Sequence, residues 1–129
     1  MAKVTADNGK ENYLVEIHSP AGNLIIADEP KEKGGQDKGF SPKELLAAAL
    51  AACTSATVRI FCNRKKWDAK NVHGEVELVE EEGKTIFNRK LQLEGNLDES
   101  QRHTLLNVAN ACPVHKILTH AITVETTLV

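Results

Sequence analysis

The chain has 129 residues, enough for one domain with one core. Sixteen basic and 18 acidic residues leave a net charge of −2 and no basic block, so nucleic acid is not an implied partner. No run is read as long enough to span a membrane, and the opening MAKVTADNGKENY lacks the apolar core of a signal peptide, so a cytoplasmic protein is expected.

Residues 3–28 read as three short strands. KVTADN ends in a turn through Asn8-Gly9. Tyr13 to Ser19 alternates Tyr13, Val15 and Ile17 with Leu14, Glu16 and His18. Pro20-Ala21-Gly22 turns the chain into Asn23 to Asp28. Short spacing with turn residues implies an antiparallel meander. The following EPKEKGGQDKGF, residues 29–40, is rich in glycine and charge and reads as an exposed, mobile loop.

Ser41 to Lys66 is the long helix around which the chain is organised. Ser41 suits the N-cap, Pro42 the first helical position, and Glu44 completes a capping box. Leu45 to Cys53 contains no polar residue. A helix apolar on all sides is expected to be buried on all sides, and one small domain cannot cover it alone. A second copy of the chain is therefore expected to help.

Trp67-Asp68 breaks the helical pattern. Val72, Val76 and Leu78 then alternate with charged or polar residues, Glu81 to Lys84 turns, and the return strand points Phe87, Leu91 and Leu93 inward. Gly95-Asn96 stops it. Asp98 and Gln101 form a second capping box for a helix ending near Ala111. Cys112-Pro113 opens a short helix to His120, and Ala121 to Val129 reads as a final strand. The order βββ–α–ββ–αα–β is α+β, a single domain over 1–129, without the alternation or glycine motifs of nucleotide-binding folds.

Three thiols are candidates for chemistry: Cys53, Cys62 and Cys112. In a reducing compartment they should rest unpaired. Cys53 sits mid-helix, where the helix dipole gives no help. It reads either as a small buried apolar residue or as a nucleophile activated by a cation from elsewhere. Cys112 precedes a proline at N1, which places its sulfur at an N-cap facing free N–H groups, with His115 three residues on. It reads equally as a plain cap. Cys62 lies on the side of the helix opposite Cys53 and is expected to be a solvated or half-buried bystander. Cys112, His115 and His120 lack a CxxC or a second ligand pair, so neither zinc nor another cofactor is expected.

The segments SPKELLAAALAAC at 41–53 and ACPVHKIL at 111–118, in this order of elements, resemble the OsmC/Ohr family across essentially the whole chain. The resemblance implies an intertwined homodimer in which antiparallel sheets wrap long central helices. It also implies a thiol peroxidase that reduces organic hydroperoxides and is itself reduced by a dithiol. Carried over, Cys53 is the peroxidatic cysteine and Cys112 the resolving one. The alternative from a different class is a non-enzymatic dimer that holds a small apolar ligand at its interface, its cysteines structural or redox-sensing.

The chain departs from the family pattern at the activating pair. The best-characterised members carry a glutamate ten residues before the peroxidatic cysteine, paired with an arginine from the N-terminal strands. Here Lys43 stands ten before Cys53, Glu44 stands nine before, and residues 1–58 contain no arginine. The auxiliary candidates are therefore Lys43, Glu44 and His115. The expected stand-in for the arginine is a lysine, either from the loop containing Lys31, Lys33 and Lys38 or from the partner's helix start.

Overall fold

Three short strands open the chain in the computed structural model, which describes residues 2–129. They are β1 (Thr5–Asp7), β2 (Val15–His18) and β3 (Leu24–Ala27), antiparallel in that order. Ile17 pairs with Ala6 on one side and Ile25 on the other. The predicted turn at Pro20-Ala21-Gly22 forms with Gly22 at φ 90°, a conformation that favours glycine. The chain divides into two compact units, residues 1–46 and 47–129.

In the first unit the charged loop after β3 is exposed but tied down. It contains a short 3-10 helix, Lys31–Lys33, closed by Gly34 at φ 91°. Asp28 is 2% exposed, and its carboxylate accepts from the backbone N–H groups of Tyr13, Glu29, Gln36 and Lys38 at 2.8–3.2 Å. Burial pushes the Asp28 carboxyl up, but the four N–H donors outweigh it and hold it below the usual carboxylate value. The loop's end returns as a parallel bridge between Ala27 and Phe40. A side chain at Gly39 would strike the Ile26 carbonyl, so glycine is required there.

The central helix α1 runs Pro42–Lys65 with the predicted capping box intact: Ser41 N–H donates to Glu44 at 2.8 Å, and Glu44 N–H to Ser41 Oγ at 3.1 Å. It ends in a Schellman arrangement, with Lys66 at φ 58° and Trp67 N–H donating to the Cys62 carbonyl at 2.9 Å. By length and composition α1 is long and apolar enough to cross a membrane, contrary to the expectation from the sequence. Nor is it covered on every side within one chain. Leu50, Thr54, Val58 and Cys62, at i, i+4 spacing, form its buried stripe. Leu46 and Ile60, 51% and 50% exposed, lie fourteen residues apart on another face, with Cys53 midway.

The second unit adds a long hairpin, β4 (Asp68–Glu81) and β5 (Lys84–Asn96), joined at Gly83 with φ 70°. Both strands extend beyond the alternating stretches seen in the sequence. The pairing is irregular between Ala69 and Asn71. Opposite, Gly95 has φ 137°, and a side chain there would strike the Asp68 carbonyl. Helix α2 (Glu99–Ala109) carries the predicted Asp98–Gln101 capping box, and α3 (Pro113–Leu118) follows with Cys112 as its N-cap. Val58 and Cys62 of α1, Ala69, Leu97, and Leu105 and Ala109 of α2 make the core, with Phe61 and Trp67 in edge-to-face contact at its side.

Two expectations are corrected here. Cys62 is neither solvated nor half-buried: it is fully buried in this core. Residues 121–129 form no strand and are exposed. Their alternation of Ile122, Val124 and Leu128 suits a strand, but strand structure needs an edge to pair with, and none of the described strands supplies it.

Candidate functional site

The site is built within the second unit, where α1, β5, α3 and the turn before α3 bring six side chains together. Cys112 is fully buried. Its backbone is extended, with φ −66° and ψ 147°, and Pro113 fixes the next residue into the first turn. The sulfur accepts from the His115 backbone N–H at 3.4 Å. The predicted N-cap role is what the structure has, and the part of His115 that reaches the sulfur is its main chain.

Thr54, on the buried stripe of α1, meets Cys112 from the other side. Its Oγ1 lies 3.8 Å from the Cys112 sulfur. The same hydroxyl donates to the Leu50 carbonyl at 2.7 Å, one turn back. Thr54 is itself fully buried, so every partner of its hydroxyl is a protein group.

Arg89 of β5 supplies the charge. Its Nη1 donates to Thr54 Oγ1 at 3.0 Å. Its Nη2 donates to Asn110 Oδ1 at 2.8 Å and meets His115 Nδ1 at 3.0 Å. A guanidinium can only donate, so Nδ1 accepts in that contact and the ring proton sits on Nε2. Three acceptors from α1, α3 and the turn before α3 thus hold one planar group in place. A lysine could not satisfy all three in that geometry.

Cys53 is half-buried, with its sulfur 3.9 Å from Thr57 Oγ1. It is one of the groups whose influence reaches the Cys112 thiol. Burial pushes the Cys112 thiol up. The His115 N–H, the Thr54 hydroxyl, the Cys53 thiol and the Arg89 charge outweigh this and hold it below its ordinary value. Cys62 shows the opposite balance: burial raises it and the nearby Arg59 only partly compensates. One accessible thiol beside one buried, acidified thiol is an arrangement suited to two-step thiol redox chemistry.

The remaining candidates belong to the first unit. Lys43 and Glu44 lie in the first turn of α1, and the Glu44 carboxylate caps Ser41. Lys38 pairs with Glu11 at 3.6 Å in the first unit. The cation beside Cys112 is Arg89. The sequence did carry a signal for it. Arg89 has the parity of Phe87, Leu91 and Leu93, the inward face of β5, and an arginine on an inward face needs partners.

A sequence model of the OsmC-like protein family matches residues 35–127. Among solved structures, a candidate osmotic stress induced and detoxification response protein from Psychrobacter arcticus is 26% identical, with a TM-score of 0.75 over 90% of this chain and 85% of its own. An OsmC-like protein from Mycoplasma pneumoniae is 22% identical, with a TM-score of 0.77 over 92% of this chain and 86% of its own, and shows the shared fold. The organic hydroperoxide resistance protein OhrB of Bacillus subtilis is 26% identical, with a TM-score of 0.63 over 92% and 90%. No curated protein matches the chain.

Proposed function

This chain belongs to the OsmC-like protein family, and on that premise we propose that it is a thiol peroxidase reducing organic hydroperoxides, with Cys53 peroxidatic and Cys112 resolving. The observation that carries this is the pairing of a half-buried Cys53 with a fully buried Cys112 that is acidified by a fixed hydrogen-bond network. The hydroperoxide resistance named for the Bacillus subtilis relative supports the substrate class.

The cycle starts with Cys112 as thiolate and Cys53 as thiol. The Cys53 proton passes to the Cys112 sulfur, and the Cys53 thiolate attacks the O–O bond. An S–O bond forms, the O–O bond breaks, and the leaving alkoxide takes the proton back from Cys112 as it departs as an alcohol. Cys53 is oxidised to a sulfenic acid and Cys112 is again a thiolate. It attacks the Cys53 sulfur and expels hydroxide, which leaves as water once protonated by solvent. The Cys53–Cys112 disulfide is returned to two thiols by exchange with an external dithiol. Such a cycle suits a reducing, cytoplasmic setting.

The working form in this reading is a homodimer. Leu46 and Ile60 leave an apolar face on α1 with Cys53 between them, and a second copy covering that face would complete an apolar approach for the peroxide. A cavity of about 440 Å³ in the first unit, lined by Tyr13, Val15, Ala27 and Pro42 with Asp28 and Lys33, favours a second reading. There the protein binds a small ligand and its thiols sense redox state. Consumption of cumene hydroperoxide with a dithiol separates the two. The peroxidase reading expects turnover in the wild type that Cys53→Ser abolishes. Equal slow consumption by both leaves the binding reading.

A further inference from the structure

The geometry points to Thr54 as a hydroxyl switch that carries the hydrogen-bond donation of Arg89 onto the Cys112 sulfur when that sulfur loses its proton. This rests on the reading above of Cys112 as the thiolate of the pair. It adds a positioning residue that neither cysteine's role requires in itself.

Thr54 has one hydroxyl proton and two claimants for it. The Leu50 carbonyl lies at 2.7 Å and the Cys112 sulfur at 3.8 Å. The Leu50 carbonyl belongs to the interior of α1, where the helix ladder already supplies a backbone donor. Loss of the side-chain bond to it is therefore cheap. The sulfur is different: a thiolate buried away from water needs donors, and every missing one is costly. Arg89 Nη1 already donates to Thr54 Oγ1 at 3.0 Å, so the hydroxyl oxygen is held while its proton remains free to turn.

The guanidinium itself is fixed by Asn110 and His115 through Nη2. Its Nη1 is directed at the threonine. Thr54 thus links the positive charge to the sulfur in one chain of hydrogen bonds, which strengthen one another. The charged and titratable groups around Cys112 are Arg89 from β5, His115 from α3 and Cys53 from α1. The Thr54 hydroxyl can change its donor direction without moving a heavy atom while its oxygen accepts from the guanidinium. A valine at this position keeps the shape and β-branching of threonine but ends the chain at a methyl group.

The test uses the full-length protein in a Cys53→Ser, Cys62→Ala background, so that Cys112 is the sole thiol. Thiolate absorbance and the alkylation rate of Cys112 are titrated against pH, without peroxide, in Thr54, Thr54→Val and Thr54→Ser forms. Loss of a hydrogen bond to a charged acceptor should lower the neutral-pH thiolate population by about tenfold in Thr54→Val. Thr54→Ser should restore it. In the chain with all three cysteines, a single equivalent of cumene hydroperoxide should leave dimedone-reactive Cys53 sulfenic acid longer in Thr54→Val than in Thr54→Ser. A Thr54→Val titration curve that overlays the parent, or a Thr54→Ser curve displaced as far as that of Thr54→Val, overturns the switch. Because the titration needs no peroxide, it stands apart from whether the protein is a peroxidase.

Discussion

Arg89 reaches from β5 to donate to Thr54 Oγ1 at 3.0 Å, and so places a guanidinium in a site that the arginine-free residues 1–58 cannot supply. The resemblance implies an arginine from the N-terminal strands; here a guanidinium arrives from β5. Arg89→Met should remove the charge and the Thr54, Asn110 and His115 contacts together. The alkylation profile of Cys112 should shift to higher pH, with about tenfold less thiolate at neutral pH. Arg89→Lys should fall between, because an ammonium lacks the planar fork.

The lowered Cys112 thiol also sets how stability depends on pH. Its folded value lies below the ordinary thiol value of 9.0, so the unfolded chain holds this proton at pH values where the folded chain has lost it. Its contribution is complete above that ordinary value and is lost as the pH falls through the lowered one. Urea unfolding under reducing conditions should therefore show a wild-type advantage over Cys112→Ser that grows from neutral pH toward pH 9. An advantage that shrinks over that range would contradict the assigned direction.

Asp28 gives the mirror case in the first unit. Its lowered carboxyl contributes stability in full above the usual value of 3.8, and that contribution disappears as acid carries the pH through the lowered value. Asp28→Asn should loosen residues 29–40 at neutral pH, since an amide offers one acceptor oxygen to four N–H donors. Limited trypsin digestion should then cut faster at Lys31, Lys33 and Lys38.

Much of this was legible in the sequence because local signals and tertiary structure agree. Both capping boxes, the end of the long helix before Trp67 and the Cys112 N-cap are set by a few neighbouring residues. What was not legible depends on contacts distant in sequence. Burial of Cys62 follows from α2 and the hairpin closing over one side of α1, which the helix's own uniform apolarity does not reveal. Asp28 looked like the end of a strand, and only the folded loop shows four backbone donors converging on it. The Arg89 contacts span 21 to 35 residues, so parity could mark the side chain as inward but could not name its partners.

Cys62 should behave as core. Cys62→Ser buries a hydroxyl among Val58, Leu105 and Ala109 and should cost about 1–3 kcal/mol by urea unfolding, while Cys62→Val should cost less than about 1.5 kcal/mol. Neither should change the number of thiols consumed by peroxide.

The measurement closest to the central claim is a thiol count after one equivalent of cumene hydroperoxide, followed by a peptide map. The account predicts two thiols lost per chain, a Cys53–Cys112 disulfide and Cys62 still free. Cys53 halted at sulfenic or sulfinic acid with Cys112 untouched would contradict it.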